Sequence, residues 1–389
     1  MANSYLLAFT VVVLITFNSG RATPSFPRRN LITGNAPYVK PKDHPNVGEL
    51  KITLLKHGMP LTGNAKCTGT LISPSLVLTA AHCLDLPDGL TIKKVAVHFP
   101  TMSQPVNVEN FRTHYTYKKH KRFTNFYGDI AILRLEECVT TVKPAKLFTD
   151  RDVTCRQGKA VGYGRTDTLG FFHDDDADVD PTTDAAKTTA LNIHSPEACE
   201  ELNYHMYEMA LKENRKGLEQ YIGQAYEVKG NLQALSEEDF KSVIFGIVDK
   251  QQLDSSSFCA TPTTKTFQTM HKGDSGGPLF INGKIAGVVN SIGSVNMIAA
   301  GFLTQYTSVP HHIRWIQAME RDLNKGYKCK NKSKRRLRAK TTRRKLRADP
   351  FLKGTATELW QKNVLKLSRK KVSKFIKFLN NYDQCRKKN

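Results

Sequence analysis

The chain of 389 residues has room for one large domain or two ordinary ones, and its 40% hydrophobic and 9% aromatic residues exclude a wholly disordered protein. Its net charge of +23 is concentrated at one end, because the last 65 residues hold 24 Lys or Arg against three acidic residues. The sequence therefore predicts a near-neutral body followed by a basic C-terminal extension over residues 325–389.

The N-terminus contains a 13-residue, largely apolar run from Tyr5 to Phe17, followed by small residues at Gly20 and Ala22. The run is too short to span a bilayer, and small residues at this spacing are typical of a signal peptidase site. No Lys or Arg precedes the run, and the alternative interpretation is a buried N-terminal strand. We interpret residues 1–22 as a signal peptide and expect the protein to be secreted and extracellular.

Strand-like segments begin at about Gly48. They are short β-branched runs such as ELKITLL, DIAILRL and PLFINGKIAGVVN, separated by Gly, Pro and Asn. Many short strands at this spacing indicate a β-barrel or a β-sandwich. The step Asn282-Gly283 predicts a tight hairpin, because both residues tolerate the positive φ of a type I′ turn.

A helical insertion over about 200–255 interrupts the strand pattern. Ser195 is a predicted N-cap, and Pro196 fits the first helical position. Ser236 and Asp239 have the spacing of a capping box at the start of a second helix. The insertion is therefore expected to contain two helices.

No metal or cofactor is predicted. The eight cysteines are an even number, which in a secreted protein indicates disulfides, and no C-x-x-C or H-E-x-x-H motif occurs. Asp174, Asp176, Asp178 and Asp180 alternate as in an EF-hand loop, but Val179 stands where Gly is needed. A solvated acidic loop is the preferred interpretation.

Three short motifs carry the chemistry of a nucleophilic serine. LTAAHCL contains His82 after a strand, GDIAILRL places Asp129 at the head of an apolar strand, and HKGDSGGPLF contains Ser275. A serine hydroxyl is a poor nucleophile until an imidazole takes its proton, and a buried carboxylate holds that imidazole in the required tautomer. The glycines permit a turn in which the N–H groups of Gly273 and Ser275 converge on one oxyanion.

The order His, Asp, Ser within these flanking sequences resembles the chymotrypsin–trypsin family of serine endopeptidases, over roughly residues 32–324. The resemblance implies an all-β fold of two packed six-stranded β-barrels, here with the helical insertion and a basic, partly helical C-terminal extension. It also implies a triad of His82, Asp129 and Ser275, with an oxyanion hole from Gly273 and Ser275. Protein or peptide substrates are the expected partners, cleaved through an acyl-enzyme.

The resemblance assigns an activation role to Ile32 and Asp274. In this family a cleavage frees an Ile whose ammonium pairs with the Asp that precedes the nucleophile. Leu31, not Arg, precedes Ile32, so the release of Ile32 from a zymogen requires a different protease or trimming after a cut at Arg29. Residues 23–31 would then be a short propeptide. The alternative hypothesis is an inactive, protease-like binding protein that is not processed at Ile32.

The resemblance further implies the disulfides Cys67–Cys83 and Cys199–Cys259. Four more cysteines allow three connectivities. Pairing of Cys138 with Cys155 is preferred, because the usual partner position of Cys155 is Ile281. That choice leaves Cys329–Cys385 to close the basic extension.

The resemblance places Thr269, Gly293 and Gly301 in the substrate pocket. Thr269 lies six residues before Ser275, at the pocket floor, where a carboxylate would be needed to bind Lys or Arg. Gly301 matches the thin pocket wall, and either Gly293 or Ile292 guards the mouth. Gly293 would admit an aromatic or large aliphatic side chain and is preferred, whereas Ile292 would admit only a small one. The expected preference is therefore non-basic and chymotrypsin-like.

The basic extension over 325–389 has three candidate roles. Apolar residues between Trp360 and Leu379 follow a loose helical spacing among the Lys and Arg residues. Dense positive charge gains affinity for a polyanion by releasing counterions. Binding to heparin-like polyanions or an anionic membrane surface is preferred over a merely solvated tail. The third role, in a nucleic-acid-binding protein that has borrowed the fold, conflicts with the signal peptide, so no specific nucleic acid is expected.

Overall fold

The computed structural model describes residues 39–86, 89–119, 126–164, 186–225, 232–249, 255–263, 270, 273–292, 303–327 and 329. Fifteen strands occur in this part of the chain, and most of them belong to two β-barrels. They are β1 (Val47–Lys56), β2 (Met59–Ser73), β3 (Leu76–Thr79), β4 (Leu90–His98), β5 (Val106–Thr113), β6 (Lys118–Lys119), β7 (Phe126–Tyr127), β8 (Ala131–Leu135), β9 (Lys146–Leu147), β10 (Gln157–Gly162), β11 (Lys187–His194), β12 (Ser257–Pro262), β13 (Pro278–Ile281), β14 (Lys284–Ile292) and β15 (Thr304–Ser308).

The first barrel is a closed ring of six antiparallel strands in the order β1-β2-β3-β8-β5-β4. Its interior is filled by β-branched and aliphatic side chains that the alternating sequence turns inward. In β3, Thr79 pairs with Ala131 of β8. The segments that follow β3 and precede β8 therefore lie at the same end of the barrel, and these segments carry His82 and Asp129.

The second barrel has the order β13-β10-β11-β12-β15-β14, and the pairing of β14 with β13 closes it. The short β9 adds to β14 in a parallel direction. The predicted hairpin between β13 and β14 is confirmed: Asn282 and Gly283 have φ values of 50° and 71° between the paired Ile281 and Lys284. The predicted all-β class with two six-stranded barrels is confirmed as well.

The described part of the insertion between β11 and β12 contains two α-helices, α1 (Pro196–Ala225) and α2 (Glu237–Asp249). The predicted caps are confirmed, since Ser195 Oγ accepts from the N–H of Ala198 at 3.2 Å and Ser236 Oγ accepts from the N–H of Asp239 at 3.1 Å. The Asp239 carboxylate accepts from the Ser236 hydroxyl at 2.6 Å. None of the described helices is long and apolar enough to cross a membrane.

A third helix, α3 (Val309–Asn324), follows β15 and returns the chain to the first barrel. Ser308 caps it, accepting from the N–H of His311 at 3.4 Å. Near its end, Leu323 O accepts from Arg134 Nη1 at 3.0 Å, and beyond it Tyr327 donates to Leu135 O at 2.8 Å. The chain is thus attached to the barrel past residue 325.

The disulfides Cys67–Cys83 and Cys199–Cys259 form as expected. The preferred pairing Cys138–Cys155 is wrong, because Cys138 bonds Cys329 across 191 residues, with the two Cα atoms 5.3 Å apart. The reason is the return of α3 to the first barrel, which brings its C-terminal end beside the end of β8. The expected Cys329–Cys385 pairing is excluded by the same bond. Cys155 forms a disulfide with a partner outside the described residues.

Candidate active site

His82 lies in a 3-10 turn, Ala81–Cys83, directly after β3. The disulfide between Cys83 and Cys67 ties this turn to β2. The His82 side chain is 20% exposed, so one edge of its ring reaches solvent while the rest packs against the barrel. The two sulfurs lie within 4.8 Å of the imidazole, but they are bonded to each other and neither is a thiolate that could bind a metal.

Asp129 is fully buried and makes two contacts with His82. Its Oδ2 lies 2.6 Å from His82 Nδ1, and its Oδ1 accepts from the His82 backbone N–H at 2.8 Å. A carboxylate only accepts hydrogen bonds, so the imidazole carries its proton on Nδ1. Nε2 is then the nitrogen that can accept a proton from another group.

Ser275 lies in the loop before β13. The carbonyl of Ser275 accepts from the N–H of Thr68 at 2.8 Å and lies 3.7 Å from Cys83 Sγ. The Ser275 loop is therefore hydrogen-bonded to β2 of the first barrel, and it lies close to Cys83, the residue after His82. The structure thus brings His82 and Asp129 into contact and places the Ser275 backbone near the same turn, and a contact between the Ser275 and His82 side chains stays a prediction.

The residues after Ser275 are glycines because their backbone lies very close to β2 and β3 of the first barrel. Gly276 has φ of 79°, and a Cβ there would overlap Thr79 Oγ1 and Thr68 O. Gly277 closes the turn by donating to Asp274 O at 2.8 Å. A side chain at position 276 would push the Ser275 loop away from β2 and β3 of the first barrel.

Gly273 has φ of 96°, a conformation that favours glycine. Its carbonyl accepts from Thr68 Oγ1 at 3.0 Å, and the same hydroxyl accepts from the N–H of Tyr163 at 3.1 Å. This contact fixes the orientation of the peptide that follows Gly273. The sequence does not indicate this role of Thr68, since a threonine in a strand carries no distinctive signal.

Asp274 is buried against β10 and the residues after it. Its Oδ1 accepts from the N–H of Gly164 at 2.6 Å. A Cβ on either Gly162 or Gly164 would overlap the Asp274 side chain. The spacing of the glycines in GKAVGYGR is the sequence signal that could have indicated this contact. Ile32, the predicted partner of Asp274, lies outside the described residues.

The predicted pocket residues Thr269, Gly293 and Gly301 also lie outside the described residues. Met270, next to Thr269, is buried in the core of the second barrel. The assignment of the pocket therefore stays a prediction.

A buried histidine cluster borders the segment that carries Asp129. His114 donates its backbone N–H to Ile130 O at 3.0 Å, and its ring packs edge-on against His312 at 4.8 Å and Trp315 at 4.9 Å. Burial is the main cause that lowers the pKa of His114 from 6.5 to about 4, and the nearby His312 and His311 contribute in the same direction.

His114 should make the fold sensitive to mild acid. In the unfolded chain, His114 becomes protonated as the pH falls below its ordinary pKa of 6.5. In the folded protein, the same side chain stays neutral until about pH 4. Stability is therefore lost as the pH falls through this window. His114→Phe should reduce the loss between pH 7 and pH 4.5 by about 1–2 kcal/mol. Urea unfolding at pH 7 and at pH 4.5 measures this loss of stability. His57→Asn, which removes an exposed histidine instead, is the control. Equal losses in wild type and His114→Phe would contradict the prediction.

Comparison with known proteins identifies the family of this chain. The sequence model of the family described as Trypsin matches residues 54–202 and 216–316, more than half of the chain. The chain therefore belongs to the trypsin family of serine proteases.

Two curated relatives and one solved structure illustrate the similarity. Snake venom serine protease KN9 of Trimeresurus stejnegeri is 25% identical over 288 residues, which cover 71% of this chain and 85% of that protein. Snake venom serine protease serpentokallikrein-1 of Protobothrops mucrosquamatus is 24% identical over 287 residues, covering 71% and 85%. A structure described as HL collagenase is 18% identical, covers 76% of this chain and 99% of its own, and has a TM-score of 0.48.

Proposed function

We propose that this protein is a secreted serine endopeptidase that cleaves peptide bonds through an acyl-enzyme on Ser275. The contact that carries the proposal is the double hydrogen bond between buried Asp129 and His82, at 2.6 and 2.8 Å. A surface histidine would not need a fully buried carboxylate on its Nδ1. Such a carboxylate is useful when the imidazole becomes positively charged during a reaction, because it stabilises that charge.

In the proposed mechanism, His82 Nε2 takes the proton of the Ser275 hydroxyl as the oxygen attacks the substrate carbonyl. Asp129 stabilises the imidazolium that forms, and the N–H groups of Gly273 and Ser275 stabilise the oxyanion. His82 then protonates the leaving amine. A water molecule, activated by the same nitrogen, hydrolyses the acyl-enzyme and restores Ser275. The fixed Gly273 carbonyl supports the oxyanion hole, because it limits rotation of the neighbouring peptides.

Covalent capture tests this function directly. The mature secreted chain is incubated with a fluorophosphonate, which reacts with an activated serine and not with an ordinary one. One adduct on Ser275, found by peptide mass spectrometry together with hydrolysis of casein, supports the proposal. A folded chain with Ile32 at its N-terminus that neither reacts nor hydrolyses would contradict it. N-terminal sequencing shows whether Ile32 is the first residue of the chain. This condition matters because we propose that release of Ile32 and its pairing with Asp274 complete the site.

The proposed substrate preference is for Phe, Tyr, Leu or Met before the cleaved bond. Thr269 offers no negative charge to a substrate Lys or Arg, and an unpaired charge in a pocket is costly. Peptides with Phe should be cleaved with kcat/KM at least about tenfold higher than matched peptides with Arg. Thr269→Asp should reverse this order, and Thr101→Asp, at an exposed position, should not. Faster cleavage of the Arg peptides by wild type would show that Thr269 is not at the pocket floor.

We further propose that the basic extension binds heparin-like polyanions or an anionic membrane surface. Its first residues are held at the end of β8 far from Asp129, through the Cys138–Cys329 bond and the Tyr327–Leu135 hydrogen bond. The described start of the extension, up to Cys329, therefore lies away from the catalytic seam. Residues 330–389 carry +19 of the total charge of +23, with 22 basic and three acidic residues. A polyanion could be bound there while the active site stays open to substrate.

Neutralising the extension should weaken heparin binding without affecting catalysis. Truncation is a poor test, because cutting after Leu323 would also remove Tyr327 and Cys329. The nine Lys and Arg residues between 334 and 347 are changed to Gln instead, with Lys–Arg exchanges at the same positions as control. The Gln variant should bind heparin at least about 100-fold more weakly at 0.15 M salt, because fewer counterions are released. Equal elution of the two variants from a heparin column would contradict this role.

A further inference from the structure

A buried pair on the second barrel contacts the backbone of the catalytic aspartate. The Thr307 hydroxyl donates to Asp129 O at 3.0 Å, and it accepts from Asn290 Nδ2 at 3.3 Å. Thr307 is fully buried and Asn290 is 3% exposed. Asp129 is thus held from two sides, by His82 at its carboxylate and by Thr307 at its carbonyl.

The strand that carries Asn290 is also joined to the nucleophile loop. Gly276 donates to Val289 O at 2.8 Å, and Val289 donates to Gly277 O at 2.9 Å. Asn290 follows Val289 directly. The chain of contacts runs from the residues after Ser275, through β14 and Thr307, to Asp129, and it crosses from one barrel to the other.

A β-bulge explains why the Asn290 side chain can take part. In the pairing of β14 with β15, the register shifts between Val289 and Ser291, and Asn290 is the extra residue. A bulge redirects a side chain that regular alternation would place on another face. Thr307 is held firmly, because its strand pairs with β12 at Ser257 and with β14 at Val288.

We propose that Asn290 and Thr307 are positioning residues that hold Asp129 in register with the Ser275 loop. The inference rests on the proposed function, because it assigns the pair a role in catalysis by the triad. Neither side chain needs to touch the substrate. A small shift of Asp129 relative to Ser275 would misalign His82, which must contact both, and a misaligned imidazole transfers protons poorly.

Thr307→Val and Thr307→Ser test the proposal as a matched pair. Valine keeps the shape but loses the hydroxyl, leaving Asp129 O and Asn290 Nδ2 without this partner, whereas serine retains both hydrogen bonds. Thr307→Val should lower kcat about tenfold at unchanged KM, and Thr307→Ser should stay within about twofold of wild type. Phe258→Leu, a core change in the second barrel that keeps both hydrogen bonds, controls for lost stability. All assays are run well below each variant's melting temperature.

A second measurement does not depend on turnover. The proton between His82 Nδ1 and Asp129 gives a separate low-field NMR signal, which should shift or broaden in Thr307→Val but not in Thr307→Ser or Phe258→Leu. The proposed linkage is wrong if Thr307→Val changes neither the NMR signal nor kcat. It is also wrong if Phe258→Leu lowers kcat as much as Thr307→Val does. If wild-type protein hydrolyses no peptide, the proposed function fails, and the NMR comparison alone then decides whether Thr307 positions Asp129.

Discussion

Replacing Ser275 with alanine is expected to lower kcat by about 10⁶-fold on a peptide substrate. The substitution removes the only atom that can form the proposed acyl-enzyme, so His82 and Asp129 have no nucleophile to activate. The fold should be unchanged, because the loop is held through main-chain contacts, including the hydrogen bond from Thr68 N to Ser275 O. Active-site titration and steady-state kinetics measure the effect.

The control for this change is Ser103→Ala, at an exposed position outside the site. It should retain wild-type kinetics. Thermal unfolding of the Ser275→Ala protein should match that of wild type, which separates lost chemistry from lost structure. If Ser275→Ala retained more than about a hundredth of the activity, either a different residue would be the nucleophile or a contaminating protease would be responsible. Fluorophosphonate labelling of the same preparation distinguishes these two cases.

The contact between His82 and Asp129, and the close backbone approach around Ser275, could be predicted from the sequence because local features of each motif require them. His82 follows a strand at a disulfide, Asp129 precedes an apolar strand, and the glycines around Ser275 are required by close approach of two backbones. These features are local, and the fold only has to bring them together. The two-barrel architecture followed from the resemblance that the three motifs carry.

The contacts between distant segments could not be predicted in this way. Cys138 and Cys329 meet because α3 returns to the first barrel, and no short sequence pattern encodes a return over 191 residues. Thr68 and Thr307 are ordinary strand threonines in the sequence. Their hydroxyls acquire a role only when the barrels pack and leave Gly273 O and Asp129 O facing them.

Asp129→Asn is expected to lower kcat about 10⁴-fold while preserving the shape of the site. Asparagine can still accept from the His82 backbone N–H with its Oδ1, as Asp129 does at 2.8 Å. Its NH₂ group then faces His82 Nδ1 and donates to it. The imidazole must carry its proton on Nε2 instead, so it cannot accept the proton of Ser275. An inverted tautomer, rather than a lost side chain, is the cause of the predicted defect.

Two comparisons isolate this cause. Asp152→Asn, an exposed change in the loop before β10, alters the charge equally and should leave kcat unchanged. Thermal unfolding should show that Asp129→Asn is folded, and ¹⁵N NMR of His82 should show the proton on Nε2 in the variant and on Nδ1 in wild type. Normal activity with the proton on Nε2 would contradict the mechanism, because proton acceptance by Nε2 is the step on which the acyl-enzyme depends. Low activity with the proton still on Nδ1 would also contradict the explanation, and would assign the defect to the lost negative charge beside the imidazolium.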